Sequence, residues 1–335
     1  MLKGIVIRDD RFWQGHPDVA YFKGHFYVAY RQSSHHRALN NTQIMLVRSR
    51  NGTQFGDSIC IASTENRYNC PRLKVIDDQL WMICDHVGLS EDFIQGENNE
   101  ANTKVVLAFS ADGTHWSAPF ITIISGIVPD RICVVNDTFF IATHTTGDKK
   151  NLVQNVWKSR HLLSHQWEKI TLAESPGLNL CEASLCPCED QIICLMRENS
   201  QQGYPCHWSM SSDKGRTWLP PRQTRMFGGH RPVLGQLSSG NFLTTYREQN
   251  CPHSPRYWAK NTFACLTTPQ SMLNPMSPCS RSIILPLDHD NGFKSDSGYT
   301  GWIETEDGQI YVVNYITNKA PQPYIVWYLL DESEF

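Results

Sequence analysis

Seven residues after each of six short polar turns stands a polar side chain: Arg31, Asp85, His144, Arg197, Arg247 and Tyr315. Each ends an apolar run. A second set, His16, Arg72, Arg131, Glu182, Arg231 and Tyr299, stands where the apolar run before each turn begins. If every turn joins two antiparallel strands, the end of the second strand lies beside the start of the first, and both sets share one end of the structure. Solvent exposure alone would favour Lys, Ser and Asn at strand ends, yet these sets hold Arg and His and no Lys. Arg offers a planar, two-pronged donor matched to a carboxylate. With Glu, His and Tyr beside it, the pattern describes a polar ligand site of positive bias.

Two further groups add proton chemistry. Arg31-Gln32-Ser33-Ser34-His35-His36-Arg37 holds His35 and His36, and a histidine, with an ordinary pKa of about 6.5, can act as acid or base. No carboxylate follows in that stretch before Asp57. The cluster Cys181, Cys186, Cys188 and Cys194 lacks the paired C-x2-C arms of zinc sites. No metal and no cofactor is therefore expected. Most of the twelve Cys read as small buried hydrophobes kept reduced, Cys84, Cys133 and Cys194 among them.

The elements that must position these groups repeat. An apolar strand, a tight turn and a second apolar strand recur six times, with turns at Lys23-Gly24, Asp77-Asp78, Asn136-Asp137, Glu189-Asp190, Ser239-Gly240 and Asp307-Gly308. Successive turns lie 54, 59, 53, 50 and 68 residues apart. No long stretch shows helical periodicity. The expectation is an all-β chain: one six-bladed β-propeller of four-stranded antiparallel sheets spanning residues 1–335 as a single domain. Leu2–Ile7 and Tyr324–Leu330 read as strands that pair in one blade. A Pro-rich, aromatic insert, 251–282, accounts for the longest spacing and is expected near the site.

A second repeat runs out of phase with the hairpins. Ser211-Ser212-Asp213-Lys214-Gly215-Arg216-Thr217-Trp218 is an S-x-D-x-G-x-T-W turn, and Ser110-Ala111-Asp112-Gly113-Thr114-His115-Trp116 is a form one residue shorter. Ser49–Phe55 is a weaker copy and Ser159–Trp167 a degenerate one. The Asp caps backbone amides, the Gly takes a positive φ, and the aromatic plugs between sheets.

On these repeats the chain resembles the sialidase (neuraminidase, BNR/Asp-box repeat) superfamily over nearly its whole length. The resemblance implies an exo-acting glycoside hydrolase that releases a terminal acidic sugar, above all sialic acid, from glycans. It implies Tyr299 as nucleophile and Glu182 as the base that activates it. A neutral phenol suits an anomeric carbon that bears a carboxylate, because an anionic nucleophile would meet about 4 kcal/mol of repulsion at ~4 Å and an effective dielectric near 20. Arg197 and Arg247 match two of the three arginines that hold the substrate carboxylate. The family's Phe-Arg-Ile-Pro entry reads Gln14-Gly15-His16-Pro17 here, so Arg31 is expected to supply the third guanidinium. The loop where the family places an acidic Asp carries His35 and His36, one of which would be the acid. Arg231, Arg72, Asp85 and His144 are expected to line the rest of the site.

Two other readings remain open. One is a His/Tyr polysaccharide lyase, abstracting the proton α to a uronate carboxylate, or a rhamnosidase-like hydrolase. The other is a glycan-binding propeller without turnover. A net charge of -3, with no basic tail, argues against a nucleic-acid partner, and no stretch has the ~20 apolar residues of a membrane span. The expected partner is a carbohydrate bearing a carboxylate. Without an N-terminal apolar leader the chain reads as cytoplasmic as given, or secreted if a leader has been removed.

Overall fold

The computed structural model describes residues 1–38, 40–88, 103–146, 151–174, 177–249 and 259–335. Each of the six polar turns joins two antiparallel strands. The chain opens with β1 (Leu2–Ile7). The first blade follows: β2 (Trp13–Phe22), β3 (His25–Ser33), β4 (Thr42–Ser49) and β5 (Ile59–Thr64). The second is β6 (Arg67–Ile76), β7 (Gln79–Val87), β8 (Thr103–Ser110) and β9 (Phe120–Ser125). The third is β10 (Cys133–Val135), β11 (Thr138–Thr146), β12 (Leu152–Ser159) and β13 (Glu168–Ala173), and the fourth β14 (Leu180–Cys188), β15 (Gln191–Glu198), β16 (Pro205–Ser211) and β17 (Arg222–Phe227). The fifth is β18 (Gly229–Gln236), β19 (Phe242–Gln249), β20 (Lys260–Thr267) and β21 (Ser282–His289). The sixth comprises β22 (Gly301–Glu304), β23 (Ile310–Ile316) and β24 (Tyr324–Leu330), completed by β1, which places Leu2 opposite Leu329. Six four-stranded antiparallel sheets result, and the fold is the six-bladed β-propeller expected from the repeat.

By its contacts the chain divides into two compact units. Met1–Val128 with Asp290–Glu334 holds the first, second and sixth blades; Pro129–His289 holds the third, fourth and fifth. Within each unit the inner strands are covered on both faces and read as unbroken apolar runs, as in Ile192–Met196, where every residue is at 0% exposure, while outer strands such as β17 alternate. Alternate residues serve different neighbours. Val19, Tyr30 and Val47 of the first blade pack with Tyr315 and Trp327 of the sixth, whereas Ala20, Tyr27 and Leu46 pack with Leu73, Met82 and Val106 of the second. The same alternation separates the clustered cysteines: Cys194 faces the third blade, Cys186 and Cys188 the fifth. Among the described residues no group of three His, Cys, Asp or Glu is placed to hold a metal ion, and no helix is long and apolar enough to cross a membrane.

Polar staples join successive blades at one repeat position. Asp18 Oδ2 accepts the amide of Leu73 at 2.8 Å, Asp130 Oδ2 that of Leu185 at 2.9 Å, and Ser184 Oγ that of Leu234 at 3.0 Å. The turns between third and fourth strands also share one geometry. Asp213 Oδ1 accepts the amides of Arg216 and Thr217 at 2.9 and 2.8 Å, Asp112 Oδ1 those of Thr114 and His115 at 2.7 and 2.8 Å, and Asn51 Oδ1 those of Thr53 and Gln54 at 3.0 Å. Gly113 and Gly215 take φ of 76° and 73°, and a Cβ on either would strike Tyr27 or Phe140 of the preceding blade. Phe55, Trp116 and Trp218 pack against the cores between blades. In the Ser159–Trp167 copy no carboxylate caps the turn; Ser159 Oγ accepts the His161 amide instead, at 3.2 Å.

Of the segment 251–282, residues 251–258 lie outside the described residues. In the remainder Lys260–Thr267 is β20, and Pro269–Leu273 is a short helix, α1, capped by Thr268.

Candidate active site

Within the first strand of each blade, or a few residues ahead of it, stands a residue in left-handed backbone. His16, Cys70, Val128, Glu182 and Arg231 have φ between 46° and 54°, and Gly298 has φ 97°. In four blades that residue lies within a bulge in the ladder, between Gly15 and Asp18, Asn69 and Arg72, Cys181 and Ser184, and His230 and Val233. Non-glycine residues held this way are costly, about 1–3 kcal/mol each, and gather where a side chain must be aimed. The residue before each of these bulges pairs with a second-strand residue singled out by the seven-residue count: Gly15 with Arg31, Asn69 with Asp85, Cys181 with Arg197 and His230 with Arg247. This register corrects the entry positions read from the sequence. Glu182, His16 and Arg231 hold the repeat position, but the equivalents of Arg72, Arg131 and Tyr299 are Cys70, Val128 and Gly298. Residue type located the strand starts; only the backbone shows which residue bulges.

In the first unit a dense polar and aromatic group forms around Asp296. Its Oδ2 accepts Trp13 Nε1 at 2.9 Å and lies 2.7 Å from His36 Nδ1, while Oδ1 accepts the Tyr315 hydroxyl at 2.9 Å. A carboxylate offers no proton, so His36 Nδ1 carries the hydrogen. The segment that presents Asp296 is tied down by buried Asp290, whose carboxylate accepts the amides of Gly292, Asp296 and Asn318 at 2.8–2.9 Å. His16 is sandwiched in this group: its ring stacks on Tyr299 at 4.8 Å and meets His36 edge-on at 5.4 Å. Burial, reinforced by Arg31 and His36, drives its pKa well below the ordinary value, so the imidazole is neutral. Asn69 Oδ1 accepts Arg31 Nη1 at 2.8 Å and lies 3.1 Å from His16 Nδ1, which makes Nδ1 the donor and leaves Nε2 a buried lone pair without a partner among the described residues.

Arg31 is 1% exposed and lies 4.3 Å over the Trp13 ring. It donates to Asn69, to Ser33 Oγ at 3.3 Å, and to the carbonyls of His35 and His36. Burial pulls its pKa down to about 10, so it stays charged. It thus clamps the loop that carries His36. Arg72 donates to Thr300 O at 2.6 Å and lies 3.5 Å from Asp18, joining three blades. Asp85 accepts the Val128 amide at 3.2 Å; burial pushes its pKa up to about 6 against the pull of Arg67. His35 is exposed and interacts with Ser34 Oγ at 2.9 Å.

In the second unit Arg197 Nη1 lies 2.9 Å from Glu182 Oε1 and Nη2 2.5 Å from Asn199 Oδ1. The Glu182 amide donates to His144 Nδ1 at 3.4 Å, and Arg247 Nη2 to His230 Nδ1 at 3.3 Å. Both imidazoles therefore present Nδ1 as a lone pair and are neutral. Burial lowers His144 to about 4, and burial with Arg197 and Arg247 holds His230 well below its ordinary value. Arg231 is fully buried and donates to Pro129 O at 2.7 Å. The positive bias expected from Arg and His together is thus carried by Arg; His16, His144 and His230 contribute none of it.

The structure brings His16, Arg31, His36, Tyr299 and Tyr315 into one group and His144, Glu182, Arg197 and Arg247 into another. Sequence reasoning missed Asp296, Asn69, Trp13 and His230. His230 carried a signal, since it immediately precedes Arg231, an expected site residue on the same strand. Asp296 carried only its place three residues before Tyr299. A concavity of about 690 Å³ beside Lys158, Arg160, Trp167 and Arg216 lies at the other strand ends of the third and fourth blades and holds none of these groups.

No protein-family model matches the sequence, and no curated protein is similar to it in sequence. Solved structures are similar in fold. A protein of unknown function from Dyadobacter fermentans DSM 18053 aligns with a TM-score of 0.78 at 15% identity, over 98% of this chain and 97% of that one. The intramolecular trans-sialidase from Ruminococcus gnavus, in complex with oseltamivir carboxylate, aligns with 0.67 at 12% identity, over 96% and 95%. Trypanosoma rangeli sialidase in complex with the inhibitor DANA aligns with 0.66 at 12% identity, over 96% of this chain and 55% of that one, so the chain spans about half its length. At these identities the likeness is one of fold.

Proposed function

We propose that this protein is an exo-acting glycoside hydrolase that releases a terminal acidic sugar, of the sialic acid kind, from glycans. The observation that carries the reading is the group around Glu182. A carboxylate sits on a left-handed bulge, bridged to Arg197, with Arg247 at the matching position of the next blade and the neutral imidazoles of His144 and His230 beside them. Two guanidiniums at matched strand positions suit a planar carboxylate. The sialidases among its structural neighbours, and the turns at Asn51, Asp112 and Asp213 read as Asp-boxes, point the same way.

In this reading Tyr299 attacks the anomeric carbon and Glu182 takes its proton, the roles the sialidase resemblance implies. His36 is the acid for the departing oxygen. Arg197 and Arg247 grip the substrate carboxylate. The test is hydrolysis of an aryl α-sialoside and of sialylated oligosaccharides, followed by chromatography of the released sugar. Failure of every acidic-sugar glycoside to release free sugar sinks the reading.

One observation favours the lyase instead. The buried Nε2 lone pair of neutral His16, stacked on Tyr299, is a base beside a phenol, the pair an elimination requires. Lyase products are unsaturated and absorb in the ultraviolet, so a spectrophotometric assay on uronate polysaccharides separates the two.

A further inference from the structure

We propose that Asp296 is the positioning residue of a histidine proton carrier, holding His36 as the Nδ1–H tautomer so that Nε2 is the nitrogen that exchanges protons with substrate. The proposal rests on the glycosidase reading above, in which His36 serves as the acid.

The geometry is that of an oriented imidazole. Asp296 receives hydrogens from three directions: His36, the Trp13 indole and the Tyr315 hydroxyl. Its own amide is held by Asp290 and its carbonyl accepts Thr317 Oγ1 at 3.1 Å. The carboxylate therefore cannot turn to follow His36; the imidazole must conform to it. From the other side Arg31 fixes the His36 backbone through its carbonyl. The His36 side chain nevertheless remains 41% accessible, unlike Asp296 at 14%. A largely shielded carboxylate behind a more accessible imidazole fixes the hydrogen on Nδ1 and leaves Nε2 as the nitrogen free to exchange protons. Among the described residues, the titratable groups facing His36 are Asp296, the cationic Arg31 of β3 and the neutral His16 of β2; Tyr315 reaches it through Asp296. His16 stands between His36 and Tyr299, at 5.4 and 4.8 Å, which places the proton carrier and the proposed nucleophile on one imidazole.

The proton balance is closed. As the bond from the anomeric carbon to the leaving oxygen breaks, its electron pair stays on oxygen. That oxygen takes the Nε2 proton, and His36 becomes neutral. When water attacks the glycosyl–tyrosine intermediate it returns a proton to Nε2, and the phenolate leaves, regaining its proton from the base. Asp296 remains a carboxylate throughout.

Asp296→Asn keeps the shape and removes the charge. It should lower kcat about 100-fold with little change in KM. It should also move the alkaline limb of the kcat profile, which reports loss of protonated His36, down by about one pH unit or more, because a neighbouring negative charge favours the imidazolium. In a His36→Ala background the same substitution should have no further effect on kcat. A substrate-free measurement stands beside these: nitrogen NMR of histidine-labelled protein, with His36 assigned through His36→Ala. It should show the Nδ1–H tautomer in the unaltered protein, and a lower titration midpoint in Asp296→Asn. A neutral Nε2–H tautomer in the unaltered protein, or an unchanged midpoint in the variant, overturns the proposal. If Asp296→Asn does not fold, the tautomer of the unaltered protein decides alone. If the tautomer and midpoint behave as stated while no acidic-sugar glycoside is cleaved, the glycosidase reading fails and the positioning role stands.

Discussion

Arg197 Nη1 stands 2.9 Å from Glu182 Oε1, and the two side chains are only 13% and 8% accessible. A pair so far from solvent is expensive to break from one side, because the partner is left as a buried charge. Arg197→Ala should therefore destabilise the protein by about 3–5 kcal/mol, read by urea unfolding. Arg197→Lys keeps the charge and should fold, but it loses the planar fork. Binding of sialic acid or its dehydrated analogue should weaken by about 2 kcal/mol in calorimetry. If Arg197→Lys and Arg247→Lys both bind it as the unaltered protein does, these two arginines do not hold the ligand's carboxylate.

The hairpins around this pair were legible because they are local: a turn, two apolar runs and a fixed count place Arg31, Asp85, Arg197 and Arg247 beside their bulges. The bulges themselves were not. His16, Cys70, Val128, Glu182 and Arg231 share a backbone angle, not a residue type. One signal was present, since Pro17, Pro71, Pro129 and Pro232 each follow such a residue, and proline, with no N–H for the ladder, suits a bulge. Asp296 was beyond reach for a different reason. Its link to His36 spans 260 residues and joins two connections between strands, where neither period nor propensity carries information.

Two buried groups give stability opposite slopes in pH. His144 titrates near 4 when folded and near 6.5 when unfolded, so its neutral form contributes stability above 6.5 that is lost as pH falls toward 4. Asp85 titrates near 6 when folded against 3.8, so its contribution is present below 3.8 and lost as pH rises to 6. Each amounts to roughly 3 kcal/mol. Relative to the unaltered protein, His144→Gln should flatten the rise of stability between pH 4 and 6.5, and Asp85→Asn should steepen it. Urea midpoints across that range check both signs.

The turns between third and fourth strands also contribute through a missing side chain. A Cβ on Gly113 would stand 2.2 Å from the Tyr27 hydroxyl oxygen, with φ at +76°. Gly24 has the same φ of +77° but open space around it. Gly24→Ala should destabilise by about 1 kcal/mol, from backbone strain alone. Gly113→Ala adds the clash and should reach about 2–4 kcal/mol. Equal values would mean that the packing of this turn on the neighbouring blade contributes nothing.

The last prediction concerns the nucleophile. A phenol with a pKa near 10 does not attack at neutral pH unless a base takes its proton as it does so. The sialidase resemblance gives that task to Glu182, and Tyr299, 7% exposed and stacked on His16, is held in one orientation. Tyr299→Phe removes the attacking oxygen while leaving the ring on His16, so folding and ligand binding should persist as kcat falls about 100-fold or more. Glu182→Gln should lower kcat comparably. The double variant should be little worse than either single one, because groups that act in one step lose their effect together. Single-turnover kinetics on the best substrate separates this chemistry from product release. Full activity in Tyr299→Phe would remove the nucleophile and leave His16 and His36 as the reacting groups, the outcome the lyase reading requires.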